Sequence, residues 1–324
     1  MNRIIYKTII RPILFIFPPE ISHYIVENFL YFLPDLISKK IFNYTFKPKT
    51  KVILFGEEIP SPVGIAAGLD KNCKSTKKYL DMGFGFSVIG TVMKNPRKGN
   101  PKPRLIRTVK EKSLINSLSF PSDGSYVILN RLKKLFFYKN RIIVSVSGLN
   151  EDEILDNLIT FNDYCFAFEI NISSPNTKDL KKFINPDSVN SIASKARKIT
   201  NSPILFKLPR FPELSMYIKI IEAISKFHDM GVVIANSMPV EDERLKVGVG
   251  GKSGPELFDH TLKVLNYLRP KFKNMTIICS GGISGFNQTD ILLKAGANAV
   301  QIYTSIIYEG PALAKDINEN LFNN

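Results

Sequence analysis

Phe166-Ala167-Phe168-Glu169-Ile170, followed by Asn171-Ile172-Ser173-Ser174-Pro175-Asn176-Thr177, is the stretch from which the rest of the chain can be read. Its first part is a short apolar run of strand type, and its second part sets hydroxyls between carboxamides at the carboxyl end of that run. Taken alone, the heptapeptide is a Ser/Asn turn closing a strand. The same pattern recurs along the chain: Val63–Ala66, Phe86–Gly90, Ile142–Val146, Ile204–Lys207, Val232–Asn236, Thr276–Cys279 and Ala299–Tyr303 are further short runs rich in β-branched residues. With Phe166–Asn171 they make eight.

Helical patterns fill the intervals. Glu151–Thr160 carries Ile154, Leu155, Leu158 and Ile159 at helical spacing, and Glu256–Leu268 carries Leu257, Leu262, Leu265 and Leu268. Continuous apolar strands alternating with amphipathic helices imply a parallel sheet covered by helices. Eight such units predict an α/β fold, a closed (β/α)8 TIM barrel. An open doubly wound sheet would carry a glycine-rich first turn, whereas this first turn is Ala66-Ala67-Gly68-Leu69-Asp70-Lys71. Gly248-Val249-Gly250-Gly251-Lys252-Ser253 looks like a phosphate loop but fails the pattern, because Lys246 stands where the first glycine belongs.

The 324 residues, 44% of them apolar, suffice for one barrel domain, expected over residues 46–324, preceded by a small helical extension over residues 1–45. The net charge of +15 favours acidic partners such as phosphate, carboxylate or an anionic membrane surface. Nucleic acid is set aside, because the basic residues are dispersed and no nucleic-acid motif accompanies them. Cys73, Cys165 and Cys279 lack metal-ligand spacing, and His23, His228 and His260 are isolated, so no metal site is expected. In the extension, charges and prolines break every apolar run before the roughly 18 residues needed to span a bilayer. Its apolar segments, with Arg3, Lys7, Arg11, Lys39 and Lys40 nearby, read equally as helices lying on anionic lipid and as a cap packed on the barrel.

The interval from Thr91 to Arg141 is unusually long, and barrel enzymes put such excursions over the active-site face. Gly99–Arg104 and Ser113–Gly124 within it are expected to be ordered loops forming a lid. The carboxyl ends of the strands then collect three chemical groups. Gly281-Gly282 and Tyr303-Thr304, after the last two strands, are a phosphate cradle or simple turns. Asn116, Asn171, Asn176 and Asn236 offer paired donors and acceptors that suit a flat ring whose edge alternates C=O and N–H. Lys207 would be an expensive charge near the barrel mouth unless it faces an anion or a reduced cofactor. Lys71 either holds a substrate carboxylate or pairs with Asp70.

At these residues the sequence resembles the dihydroorotate dehydrogenases, and more closely the membrane-associated, quinone-using class 2 members. The matching pieces are Ala66–Lys71, Met82–Gly85, Gly90–Val92, Gly99–Arg104, Leu114–Asn116, Asn171–Thr177, Gly281–Ile283 and Val300–Tyr303, in family order over nearly the whole chain. The resemblance implies an FMN-dependent barrel that oxidises (S)-dihydroorotate to orotate in pyrimidine synthesis, with hydride passing from C6 to the flavin. It implies Ser174 as the base at C5, with Phe120 and Thr177 shaping its surroundings. Lys71, Asn116, Asn171, Asn176, Asn236 and Ser237 would hold the substrate. FMN would contact Ala67, Gly68, Thr91, Asn171, Lys207, Gly254, Gly282, Tyr303 and Thr304. A quinone would approach through the N-terminal helices near Arg107. The enzyme would then sit peripherally on membrane lipid, at the cytoplasmic face of the cell membrane. The chain departs from the class 2 pattern at Ser145-Val146-Ser147-Gly148, which is closer to soluble members, at Ser119-Phe120-Pro121 in the lid, and at Ala235. A related flavin barrel using a soluble acceptor such as fumarate, or acting on another pyrimidine, is the alternative enzyme. A non-catalytic anion-binding barrel is the alternative of another class.

Overall fold

The computed structural model describes residues 3–42, 44, 52–173 and 182–323. Eight parallel strands close into a barrel: β1 (Val63–Asp70), β2 (Phe86–Val92), β3 (Ile142–Val146), β4 (Ala167–Asn171), β5 (Ile204–Lys207), β6 (Met230–Ile234), β7 (Thr276–Ser280) and β8 (Ala299–Ile302). Each pairs with the next in sequence, and β8 returns to β1. All eight expected strands are present. The sixth ends earlier than expected, at Ile234, so that Asn236 lies beyond the ladder.

Strand alternation explains how the barrel is filled. Side chains of successive residues point to opposite faces, so Val144, Phe168, Phe206 and Val300 pack outward against the helices. Val88, Ile143, Ala167, Leu205, Val233, Ile278 and Ala299 form a separate, fully buried inner cluster. Gly64 lets the Phe86 ring into this interior, since a Cβ there would lie 2.3 Å from that ring. A hairpin of Val52–Leu54 and Glu57–Ile59 adds Leu54 and Ile59 to the inner cluster. Two residues along from this apolar layer, the same strand faces carry Ser145, Glu169, Lys207 and Gln301. The barrel interior therefore turns from apolar to polar towards its carboxyl end.

Two of the barrel helices start on an asparagine cap. Asn150 accepts from the Glu153 N–H at 2.9 Å to open Glu151–Phe161, and Asn185 accepts from Ser188 at 2.9 Å to open Pro186–Ile199. The long interval between β2 and β3 differs from the expected loops. Leu105–Thr108 and Ser113–Asn116 are strands of a four-stranded antiparallel sheet with Val249–Ser253 and Met238–Glu241. Ser113–Asn116 pairs on one side with nearby Leu105–Thr108 and on the other with Val249–Ser253, more than a hundred residues away, so local sequence could not reveal the full sheet. The glycine-rich stretch that looked like a phosphate loop is one of these strands.

The N-terminal residues form helical segments over 3–16, then Pro19–Phe32 and Asp35–Phe42. Proline at the first position of the second helix fits, because no backbone donor is lost there. These helices are tied to the barrel by Arg104–Glu20 (2.5 Å), Lys74–Glu27 (3.1 Å), Lys78–Asp35 (2.5 Å) and a short contact of Arg3 with Glu309. The expected boundary between extension and barrel falls at residues outside those described. Among the described residues, no helix is long and apolar enough to cross a membrane. Among the described residues, fourteen of the 25 large apolar side chains left exposed nevertheless lie within Ile4–Ile37, which concentrates the apolar surface on this extension.

Candidate active site

A cavity of about 510 Å³ opens at the carboxyl end of the barrel. Its walls come from strand ends, from the antiparallel sheet and from the segment Leu118–Pro121. Of the residues singled out by sequence, Ala67, Gly68, Lys71, Thr91, Asn116, Phe120, Asn171, Lys207, Asn236, Ser237, Gly254, Gly282, Tyr303 and Thr304 all line it. Arg107 does not. Ser174, Asn176 and Thr177 lie outside the described residues.

A continuous hydrogen-bond chain runs across the cavity floor. The Asn171 amide donates to Thr91 Oγ1 at 3.0 Å, and the Thr91 and Ser145 hydroxyls lie 3.0 Å apart. Ser145 donates to Glu169 Oε1 at 3.0 Å, and Gln301 Nε2 donates to Glu169 Oε2 at 2.9 Å. On the other side, Asn171 Oδ1 accepts from the Ser173 hydroxyl at 2.8 Å, and the Asn236 amide donates to that hydroxyl at 2.8 Å. Asn236 Oδ1 in turn accepts from the Ser237 N–H at 2.8 Å. Asn171 and Asn236 are thus held by neighbours, and such a satisfied network fixes side-chain direction in a buried site. Asn116 donates to the Gly251 carbonyl at 3.2 Å, across the strand pair that brings it to the wall.

Both lysines are accounted for. Lys207, 5% exposed at the end of β5, sits 3.6 Å from Glu169. Glu169 is fully buried and does not line the cavity. Lys71 does not pair with Asp70, whose carboxylate accepts from the Lys74 and Ser75 N–H groups (2.8 and 3.0 Å) and from the Thr76 hydroxyl (2.5 Å). Lys71 Nζ instead lies 3.4 Å from His23 Nε2. Burial pulls the Lys71 ammonium below the usual lysine pKa, against the opposing pull of Glu27, Glu20 and Asp70. Burial, with the charges of Lys71 and Lys74, holds His23 well below the usual histidine value.

Two glycines shape the far wall. Gly281 and Gly282 have φ of +107° and +82°, and a Cβ on Gly282 would lie 2.1 Å from the Phe258 nitrogen. Only glycine combines that conformation with that approach. The N–H groups of both find no acceptor among the described residues. Gln301 Oε1 is likewise a buried acceptor without a partner among the described residues. Across from them, Gly68 (φ +97°) brings the backbone against the Tyr303 ring.

Arg107 marks the junction with the N-terminal helices. Its guanidinium lies 3.9 Å from the centre of the Phe15 ring, a cation–π contact, and it donates to the Phe15 carbonyl (3.3 Å) and Ser22 hydroxyl (3.3 Å). Phe15 packs edge-on against Tyr308, ring centres 5.5 Å apart, and Tyr308 lines the cavity. Arg3 and Glu309 line it as well. Sequence reasoning assigned no role to Glu169, Gln301, His23, Ser145 or Ser173. The signal available for Glu169 was one acid inside an otherwise apolar strand.

The sequence model of the family described as dihydroorotate dehydrogenase matches residues 49–324. Among similar proteins, the dihydroorotate dehydrogenase (quinone) of a Nitratiruptor species is 34% identical over 96% of this chain and 93% of its own length. That of Christiangramia forsetii is 34% identical over 98% of both, and that of Coxiella burnetii 33% identical over 96% and 95%. The ligand-free dihydroorotate dehydrogenase structure from Eimeria tenella superposes with a TM-score of 0.84 at 27% identity, covering 94% of each chain. The same enzyme in complex with ferulenol gives 0.82 at 27% identity, covering 94% of this chain and 91% of that one. The barrel, the site at its carboxyl end and these matches agree: this chain belongs to the dihydroorotate dehydrogenase family, in the class of its quinone-dependent members.

Proposed function

We propose that this protein oxidises (S)-dihydroorotate to orotate in pyrimidine synthesis, with FMN as its prosthetic group and a quinone as the final electron acceptor. The observation that carries the reading is the convergence of Lys71, Asn116, Asn171 and Asn236 on the same cavity as Lys207, Gly282 and Thr304. A lysine and three carboxamides suit a carboxylate-bearing pyrimidine ring.

The residues present also suit FMN. Unpartnered Gly281 and Gly282 N–H groups, on a backbone no side chain can crowd, match a phosphate. The buried, unpartnered Gln301 Oε1 and the Lys207 ammonium match the polar edge of a ring. Ala67, Gly68, Thr91, Asn171, Gly254, Tyr303 and Thr304 complete the assigned contacts. When bound, FMN supplies the two-electron acceptor that the side chains lack.

The chain's own residues would do the rest. Lys71 fixes the substrate carboxylate, while Asn116, Asn171, Asn176, Asn236 and Ser237 fix the ring edge. Ser174 takes the proton from C5. A serine hydroxyl is a weak base, so it needs an onward path for its proton, assigned to the Thr177 region, and exclusion of water. Phe120, a cavity wall residue on the lid, supplies apolar cover. The N-terminal helices, residues 1–45, form the quinone entrance beside Arg107 and rest with their exposed apolar side chains on lipid at the cytoplasmic face of the cell membrane.

The direct test is anaerobic mixing of the flavin-loaded protein with dihydroorotate while following flavin absorbance. Bleaching by dihydroorotate, then recovery with quinone but not with fumarate, is expected. No bleaching would reject the substrate, and recovery with fumarate alone would reject the acceptor.

A further inference from the structure

Beneath the cavity floor, one carboxylate organises three strands. Glu169 on β4 has no exposed surface, and both its oxygens are used: Oε1 by the Ser145 hydroxyl and, at 3.6 Å, by Lys207, and Oε2 by Gln301. Lys207 and Gln301 line the cavity, and Glu169 does not. A buried carboxylate requires compensation, and the only cation within ion-pair distance of it among the described residues is Lys207. The lysine that meets the cavity is thus half of a neutral pair and not an isolated positive charge.

We infer that Glu169 is a positioning residue that holds the Lys207 ammonium in place and offsets its charge, so lowering the reduction potential of the ring bound above it. The inference rests on the proposed FMN site. Reduction places negative charge on the ring, and an isolated buried cation would favour that strongly. Pairing with Glu169 weakens the effect, because the field of a cation and an anion a few ångströms apart falls off faster than that of the cation alone. The consequence is functional. A ring held at lower potential passes its electrons onward more readily.

Glu169→Gln removes the charge and leaves the shape. In the FMN-loaded variant, titrated against a reference dye at fixed potential, the ratio of reduced to oxidised FMN should rise at least tenfold over wild type, equivalent to about 30 mV for a two-electron couple. An unchanged or lowered ratio would overturn the inference while leaving the FMN site standing. Wild-type protein that binds no FMN would overturn both. If Glu169→Gln does not fold, Glu169→Met, of similar length and without charge, is titrated in the same way, with the same rise expected and an unchanged ratio again overturning the inference.

Discussion

The ammonium of Lys71 lies 3.4 Å from Nε2 of His23, so the lysine assigned to the substrate is in contact with the N-terminal helices. The ring is 23% exposed, wedged between Lys71, Lys74 and Glu27. Burial and the two lysines keep it neutral, and a neutral ring presents Nε2 as an acceptor for the lysine proton. The extension therefore shapes the surroundings of Lys71 in addition to its proposed part as the approach for the second substrate.

The pH dependence of stability follows from that depressed pKa. Unfolded His23 takes up a proton as pH falls below about 6.5, and folded His23 does not. The unfolded state binds more protons there, so stability is lost as the pH drops, with a limiting slope of about 1.4 kcal/mol per pH unit. Between pH 6.5 and 5, thermal unfolding of His23→Gln should show a shallower loss than wild type. Parallel curves would mean that His23 protonates in the folded protein.

Ser174→Ala should retain FMN, read by its absorbance, and lose flavin reduction by dihydroorotate by a factor of about 10² to 10⁴, the range for removing a general base. Lys71→Met should instead raise the dihydroorotate concentration needed for half-maximal reduction, by about tenfold or more, since a charge-assisted hydrogen bond contributes about 1.5–3 kcal/mol. Stopped-flow reduction across substrate concentrations separates the two. Reduction of the Ser174→Ala flavin at the wild-type rate would remove the serine from the reaction.

Gly282→Ala tests the glycine wall. A Cβ 2.1 Å from the Phe258 nitrogen, at φ +82°, forces the two segments apart. The expected cost is about 2–4 kcal/mol of stability together with loss of FMN on purification. Gly285→Ser is the control, because a Cβ there meets nothing within 4 Å and serine caps the helix that begins at Phe286. Its melting temperature and flavin content should match wild type.

Arg107→Ala removes the contact with the Phe15 ring and three hydrogen bonds into the N-terminal segment, to the Phe15 and Phe17 carbonyls and the Ser22 hydroxyl. Flavin reduction by dihydroorotate should stay within about twofold, while the quinone concentration for half-maximal reoxidation rises about tenfold. Phe32 and Leu36 are 74% and 72% exposed, and Phe32→Glu with Leu36→Glu should reduce sedimentation with anionic vesicles by at least about tenfold. Undiminished vesicle binding would place the lipid contact elsewhere.

Reading the chain from one strand outward gave the eight strands, their parallel arrangement and the strand-end residues that line the cavity, because alternation, helical spacing and the residues after each strand are set by covalent order; Ala67, Gly68, Phe120 and Gly254 came from the family resemblance. Three matters required the folded molecule. Whether Lys71 belongs to Asp70 was open until the Lys74 and Ser75 N–H groups and the Thr76 hydroxyl were seen to occupy that carboxylate. The place of Ser113–Asn116 in a four-stranded sheet was not visible because, besides the nearby Leu105–Thr108, its partner is the distant Val249–Ser253. Glu169 looked like an interruption in an apolar run until closure of the sheet set it beside Lys207 and opposite Gln301, 132 positions further along. Spacing along a strand is local, and the amino-acid order determines it. Which charges meet inside a barrel depends on register and closure, and those are decided only when all eight strands pack at once.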